Sequence, residues 1–209
     1  MGRSQISTPS GPAWVDLDQP PSPSALLLLG HGASGGVDSP DLRAVRTAVL
    51  DAGVAVARVT QPYRVAGRRA PAPAPRLDEA WLAVNAALRR RRELAGLPFV
   101  HGGRSSGARV ACRTAAATEA VAIVALAFPV QPPGRPERSR LAELAGPEVA
   151  VLVVQGERDV FGVPPVDACR QLVVVPGADH SLKKDPPAVG AAVVAFLIEL
   201  GLVAPSVKG

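Results

Sequence analysis

The chain has 209 residues, nearly half of them apolar, which suits one domain with an aliphatic core and excludes a disordered polymer. Its formal charge is +5, almost all from arginine, but with one Tyr, four Phe and two Trp it has no aromatic surface on which bases could stack, so no nucleic-acid partner is expected. Two cysteines make neither a disulfide framework nor a zinc pattern, the first residues lack the apolar segment of a signal peptide, and no apolar run approaches the ~20 residues that span a bilayer. The expectation is a cytoplasmic protein with no membrane partner, no metal and no cofactor.

Residues 1–24 read as an N-terminal arm, and residues 25–204 as the main domain. In the arm, Gln5–Thr8 and Ala13–Leu17 are strand candidates joined by Pro9-Ser10-Gly11-Pro12, and a Pro/Ser-rich linker, QPPSPS, follows at 19–24. The run ALLLL at 25–29 then stops at glycine, as a strand buried on both faces does. After the loop HGASGGV, Asp38-Ser39-Pro40 opens a helix that runs to about Ala52 and stops at Gly53. Val54–Val59 is the next strand.

Residues 61–76, QPYRVAGRRAPAPAPR, read as a long loop in which the prolines exclude helix. A helix is expected from about Leu77 to Ala95, with Trp81, Val84 and Leu88 on one stripe. Leu97–Val100 is a strand, and a helix from about Ser106 to Ala117 follows the turn HGGRSSG. Further strands are expected at Val121–Ala127, Val149–Val154 and Leu172–Val175. Between the first two lies a loop with one short helix, and Asp185-Pro186 caps a last helix. Strands alternating with helices predict an α/β fold: a mainly parallel, doubly wound sheet with helices on both faces and no lid domain. In such sheets the binding crevice lies beyond the carboxyl ends of the strands, where every glycine-rich loop of this chain falls.

Gly103-Arg104-Ser105-Ser106-Gly107 fits G-x-S-x-G between a strand and a helix. The spacing makes Ser105 the nucleophile of a sharp turn whose flanking residues must be small so that strand and helix can approach. Neither phosphate-binding fingerprint fits these glycines. The N–H of Ser106 begins the helix and is the first oxyanion donor. The loop HGASGG offers the second, with Ala33 ahead of Ser34.

A base comes from three histidines. His101 precedes the turn on the same strand and cannot fold back, and His31 lies in the loop before the nucleophile. His180, after the last strand, completes the order Ser, acid, His. For the acid, Asp159 in QGERD is favoured over Glu157 and Asp179.

Together these residues resemble an alpha/beta hydrolase. More narrowly, HGASGGVDSPDL, QPYRVAGRRAPAP, GGRSSGARVA, FPVQPPGRPE, VQGERDVFG and GADHSLKKD resemble the small dienelactone-hydrolase-like family that includes the hydrolase-like domain of the third subunit of the NSL complex. The chain departs from that family's habit at His101, usually aliphatic, and at Gln131, often histidine. The resemblance implies the alpha/beta hydrolase fold and a triad of Ser105, Asp159 and His180. The expected activity is a serine hydrolase acting on a small or exposed ester or thioester. His31, Arg104, Phe128, Val130, Phe161 and Arg68 are expected around the substrate, with Arg64, Arg68, Arg69 and Arg104 as candidates for an anionic group. A non-catalytic interaction domain keeping the fold is the alternative, and an amidase or carbon–carbon hydrolase would use the same residues.

Overall fold

The computed structural model describes residues 2–205. Eight strands form one sheet in the order β1-β2-β4-β3-β5-β6-β7-β8. They are β1 (Gly2–Thr8), β2 (Gly11–Asp18), β3 (Leu26–Gly30), β4 (Ala55–Thr60), β5 (Phe99–Arg104), β6 (Ala122–Leu126), β7 (Ala150–Gly156) and β8 (Gln171–Val175). The hairpin β1–β2 pairs antiparallel to β4, and all other pairings are parallel. The helices are α1 (Pro40–Asp51), α2 (Pro62–Val65), α3 (Ala74–Arg89), α4 (Ser106–Thr114), α5 (Leu141–Ala145) and α6 (Pro186–Glu199).

The expected alternation of strand and helix holds, with local corrections. Strand β5 runs from Phe99 to Arg104 rather than Leu97 to Val100, and α4 ends at Thr114 rather than about Ala117. The proline-rich segment contains the single helical turn α2, because Pro62 stands at its first position, where the missing N–H costs nothing. Helix α3 begins at Ala74 rather than Leu77 for the same reason, Pro75 lying in its first turn, and ends at Arg89 rather than Ala95. Ser39 precedes α1 without capping it through its side chain, whereas Asp185 does accept a hydrogen bond from the N–H of Ala188, at 3.1 Å.

Strand β3 shows why the core has two sides. Its four leucines are all fully buried. Leu27 and Leu29 pack with Val100, Val124 and Val154 under Val45 and Val49 of α1 and Val193 and Phe196 of α6. Leu26 and Leu28 face the opposite way, with Phe99, onto Trp81, Val84 and Leu88 of α3. Farther along that face, Ile123 and Val153 pack against Ala108 and Ala111 of α4 and Leu144 of α5. Each such side chain contributes about 1.5–3 kcal/mol by leaving water, and the strands are anchored from both faces. β3 lies between β4 and β5, so the chain winds outward in opposite directions from it. Its carboxyl end is the switch point at which open α/β sheets form their crevice.

Candidate active site

Strand β5 ends in a turn that ordinary backbone geometry disfavours. Ser105 has φ 53° and ψ −108°, a region costing about 1–3 kcal/mol for a residue with a side chain. Its N–H still bonds to Leu126 O of β6 at 2.9 Å, so the sheet carries the serine to the strand's end before the chain reverses into α4. The two motif glycines make that reversal sterically feasible. A Cβ on Gly107 would stand 2.5 Å from both the carbonyl carbon and oxygen of Gly30, and one on Gly103 would stand 2.5 Å from the same oxygen. The motif therefore records the close contact of α4 with the end of β3.

Asp159 follows β7 and His180 follows β8, so both loops emerge at the edge where Ser105 sits. His180 Nε2 lies 3.0 Å from Ser105 Oγ, and His180 Nδ1 lies 2.8 Å from Asp159 Oδ2. Since a carboxylate only accepts, Nδ1–H donates to Asp159 and Nε2 is left to accept from the serine hydroxyl. The Asp159 side chain is fully buried, and its other bonds set its position. Oδ1 accepts from the N–H of Phe161 at 2.9 Å, and Oδ2 accepts from Gln155 Nε2 at 2.8 Å. Gln155 also reaches the carbonyls of Phe128 and Gly162, at 3.1 and 2.7 Å. The two other acidic candidates are occupied elsewhere. Glu157 accepts from the N–H of Gly177, and Asp179 from Ser181.

The loop after β3 passes beside the serine, where a Cβ on Gly32 would be 3.7 Å from that of Ser105. His31 is 3% exposed, and both ring nitrogens are engaged. Nε2 accepts from the N–H of Gln61 at 3.1 Å, so Nδ1 carries the proton and donates to Gly32 O at 2.8 Å. Burial holds this imidazole below its ordinary pKa, with the Gly32 bond opposing. The Tyr63 hydroxyl donates to Ala33 O at 2.8 Å, and burial lifts that phenol to about 12. In a planar trans peptide the N–H points opposite to the preceding C=O. With the Gly32 carbonyl turned to His31, the Ala33 N–H faces the other way. The N–H of Ser106, in the first turn of α4, has no intrahelical partner.

Several residues expected around a substrate sit otherwise. His31 is buried and shapes its loop. Phe128 is fully buried in the core beside Ile123 and Leu144, and Val130, 6% exposed, belongs to the same cluster. Arg104 turns inward, with Nε 3.0 Å from Asp41 Oδ2 and Nη2 donating to His180 O at 2.8 Å. Phe161 is half-buried, its ring centroid 4.4 Å from that of His180, and forms a wall of the site. Arg68 is exposed at a cleft of about 160 Å³ that Gln61, Tyr63 and Arg76 also line. Phe128 to Pro147 holds little beyond α5, so nothing the size of a lid domain follows β6. A concavity of about 630 Å³ between α1 and α6 contains none of these side chains. Gln155, Tyr63 and Asp41 were not singled out by sequence. An amide glutamine, a loop tyrosine and a first-turn aspartate carry no local pattern that separates them from ordinary surface residues. Among the described residues no group of three His, Cys, Asp or Glu could hold a metal, and no helix is long and apolar enough to cross a membrane.

A lidless doubly wound sheet carrying a Ser–His–Asp array on a strained strand-to-helix turn defines the class. The sequence family described as "Alpha/beta hydrolase domain" matches residues 23–188, and the chain belongs to it. No curated protein matches the sequence significantly. Solved structures share the fold at low identity. XC6422 from Xanthomonas campestris, described as an α/β serine hydrolase without lid, aligns with a TM-score of 0.78 at 20% identity over 98% of this chain and 96% of its own. Est1E from Butyrivibrio proteoclasticus aligns at 0.78 and 19% over 95% and 98%. A dienelactone hydrolase from Anabaena variabilis aligns at 0.76 and 18% over 95% and 96%.

Proposed function

We propose that the protein is a serine hydrolase that cleaves a small or exposed carboxylic ester or thioester through an acyl-Ser105 intermediate. The observation that carries this is the continuous bonding from Asp159 through His180 to Ser105, 2.8 and 3.0 Å, on a backbone strained at the serine. Ser105 Oγ attacks the carbonyl carbon while its proton passes to His180 Nε2. Asp159 keeps the proton of Nδ1 in place and stabilises the imidazolium. The N–H groups of Ser106 and Ala33 receive the oxyanion, each worth roughly 3 kcal/mol of barrier. His180 then protonates the leaving alcohol or thiol. Water, deprotonated by the same nitrogen, releases the acid and restores the serine. The protein belongs, on this reading, to the dienelactone-hydrolase-like group related to the NSL subunit domain, and acts in the cytoplasm on small molecules with no nucleic-acid partner.

A fluorophosphonate probe tests the reaction. Wild type should be labelled and Ser105→Ala should not. Unlabelled, well-folded wild type would overturn the hydrolase reading in favour of a non-catalytic interaction domain. Substrate charge is the second point. Arg64, Arg68 and Arg69 make no ion pair among the described residues, whereas Arg104, Arg109 and Arg113 all face carboxylates. Of the first three, Arg68 lines the Tyr63 cleft, and its guanidinium favours an ester with an anionic group. Arg68→Ala should raise KM for an anionic ester several-fold and leave a neutral one unchanged. Equal rates for both esters that persist in the variant would remove this preference.

A further inference from the structure

Arg104 occupies the position just before the serine, and its guanidinium contacts two separate parts of the site and lies beside a third. Nε lies 3.0 Å from Asp41 Oδ2 in the first turn of α1, Nη2 donates to the backbone carbonyl of His180, and Nη1 lies 3.0 Å from where a Cβ on Gly32 would stand. These are the segment after the 31–36 loop, the loop carrying the base, and the loop beside the serine. The side chain is 14% exposed and that of Asp41 is 0%. Neither Asp41 oxygen receives a hydrogen bond of good geometry among the described residues, since the Nε–H of Arg104 is not aimed at its neighbour. The contact is therefore ionic, and Arg104 is the one cation within ion-pair distance of this carboxylate among the described residues. A buried carboxylate is expensive unless it is paired, and an apolar pair of the same volume usually serves stability as well or better.

We propose that Arg104 is a positioning residue. Paired with Asp41, it pins the backbone of His180 and the start of α1, which follows the 31–36 loop, to the strand end that carries Ser105. A guanidinium suits this task because its rigid fork presents separate nitrogens in separate directions. A lysine has one nitrogen for Asp41 and the His180 carbonyl together. The kinetic consequence rests on the serine-hydrolase reading above, but the pinning of the loop does not.

The experiment uses the paired variant Asp41→Asn with Arg104→Met, which leaves no buried charge unmatched, beside Arg104→Lys. Melting temperature, backbone hydrogen exchange over residues 177–184, and kcat and KM on p-nitrophenyl acetate are read for each. The paired variant should melt within a few degrees of wild type, with exchange over 177–184 at least about tenfold faster. Its kcat should fall about 10–100-fold with KM within about twofold, since a displacement of about 1 Å at a reacting group costs that order of rate. Arg104→Lys should keep the melting temperature yet show the same faster exchange and lower kcat. Should the paired variant fail to fold, the lysine variant decides by the same readings. Unchanged exchange in a folded variant overturns the proposal, as does a rise in KM at constant kcat, which would make Arg104 a substrate contact. If wild type neither hydrolyses the ester nor reacts with the phosphonate, the hydrolase reading fails by itself, and the exchange result still decides the role of Arg104.

Discussion

At the scale of single residues, the acid of the site depends on its neighbours' donors. Both oxygens of Asp159 already accept N–H bonds, from Phe161 and from Gln155, in addition to His180. In Asp159→Asn, one of these positions becomes an NH₂ group facing another donor. If that group lies toward His180, Nδ1 must accept and Nε2 must hold the proton, so the imidazole no longer accepts from Ser105. The expected result is a fall in kcat of about 10⁴-fold, the order seen when this tautomer is reversed in such triads, with a folded protein by circular dichroism. Retention of more than a tenth of the wild-type kcat would show that Asp159 does not set the tautomer. The serine, the histidine and this aspartate were legible because few residues of their types fall at strand ends. Gln155, which completes the acid's shell, was not, because its partners are chosen by how the loop to Gly162 folds back.

At the scale of elements, the elbow is a contact between a strand and a helix rather than a property of either. Gly107→Ala places a methyl against Gly30 backbone atoms, and backbone on both sides gives little room to relax. A loss of about 3 kcal/mol is expected, which for a chain of this size lowers Tm by about 6–12 °C. Gly53→Ala is the useful contrast. Gly53 has φ +86° with nothing within 4 Å, so its cost is conformational alone, about 1 kcal/mol. Thermal melts of the two variants check the ordering, and equal losses would contradict it. Sequence periodicity found these elements, but it missed the start of α3. Proline is read as a breaker, although in a first turn it removes no bond.

At the scale of the whole molecule, the sheet interior holds a histidine that should shape acid stability. His101 is 0% exposed and accepts from Trp81 Nε1 at 3.0 Å, while its Nε2 has no partner among the described residues. Burial, with a smaller contribution from Arg89, lowers its pKa to about 3. The unfolded chain takes up this proton near pH 6.5 and the folded chain does not until about pH 3. Stability is therefore fully present above pH 6.5 and declines as pH falls through that window, at up to about 1.4 kcal/mol per pH unit for one such group. His31, whose pKa is lowered too, adds to the same trend. Urea unfolding at pH 7 and pH 5 should show a clear loss in wild type and a smaller one in His101→Leu. Identical pH slopes would mean that His101 is not the group responsible.

The sequence by itself determined the alternation of strands and helices, the turn at Gly103–Gly107 and the chain order of Ser105, Asp159 and His180. Hydrophobic period and turn chemistry are written in neighbouring residues, and only three histidines compete for one role. The tertiary structure alone decided what the inward-facing side chains do. Arg104 meets Asp41 and His180, His31 spends both nitrogens on backbone, and Phe128 withdraws into the core. Such pairings join positions far apart in the chain, and they depend on strand order and register. A parallel sheet sets these only when all its strands have found their neighbours.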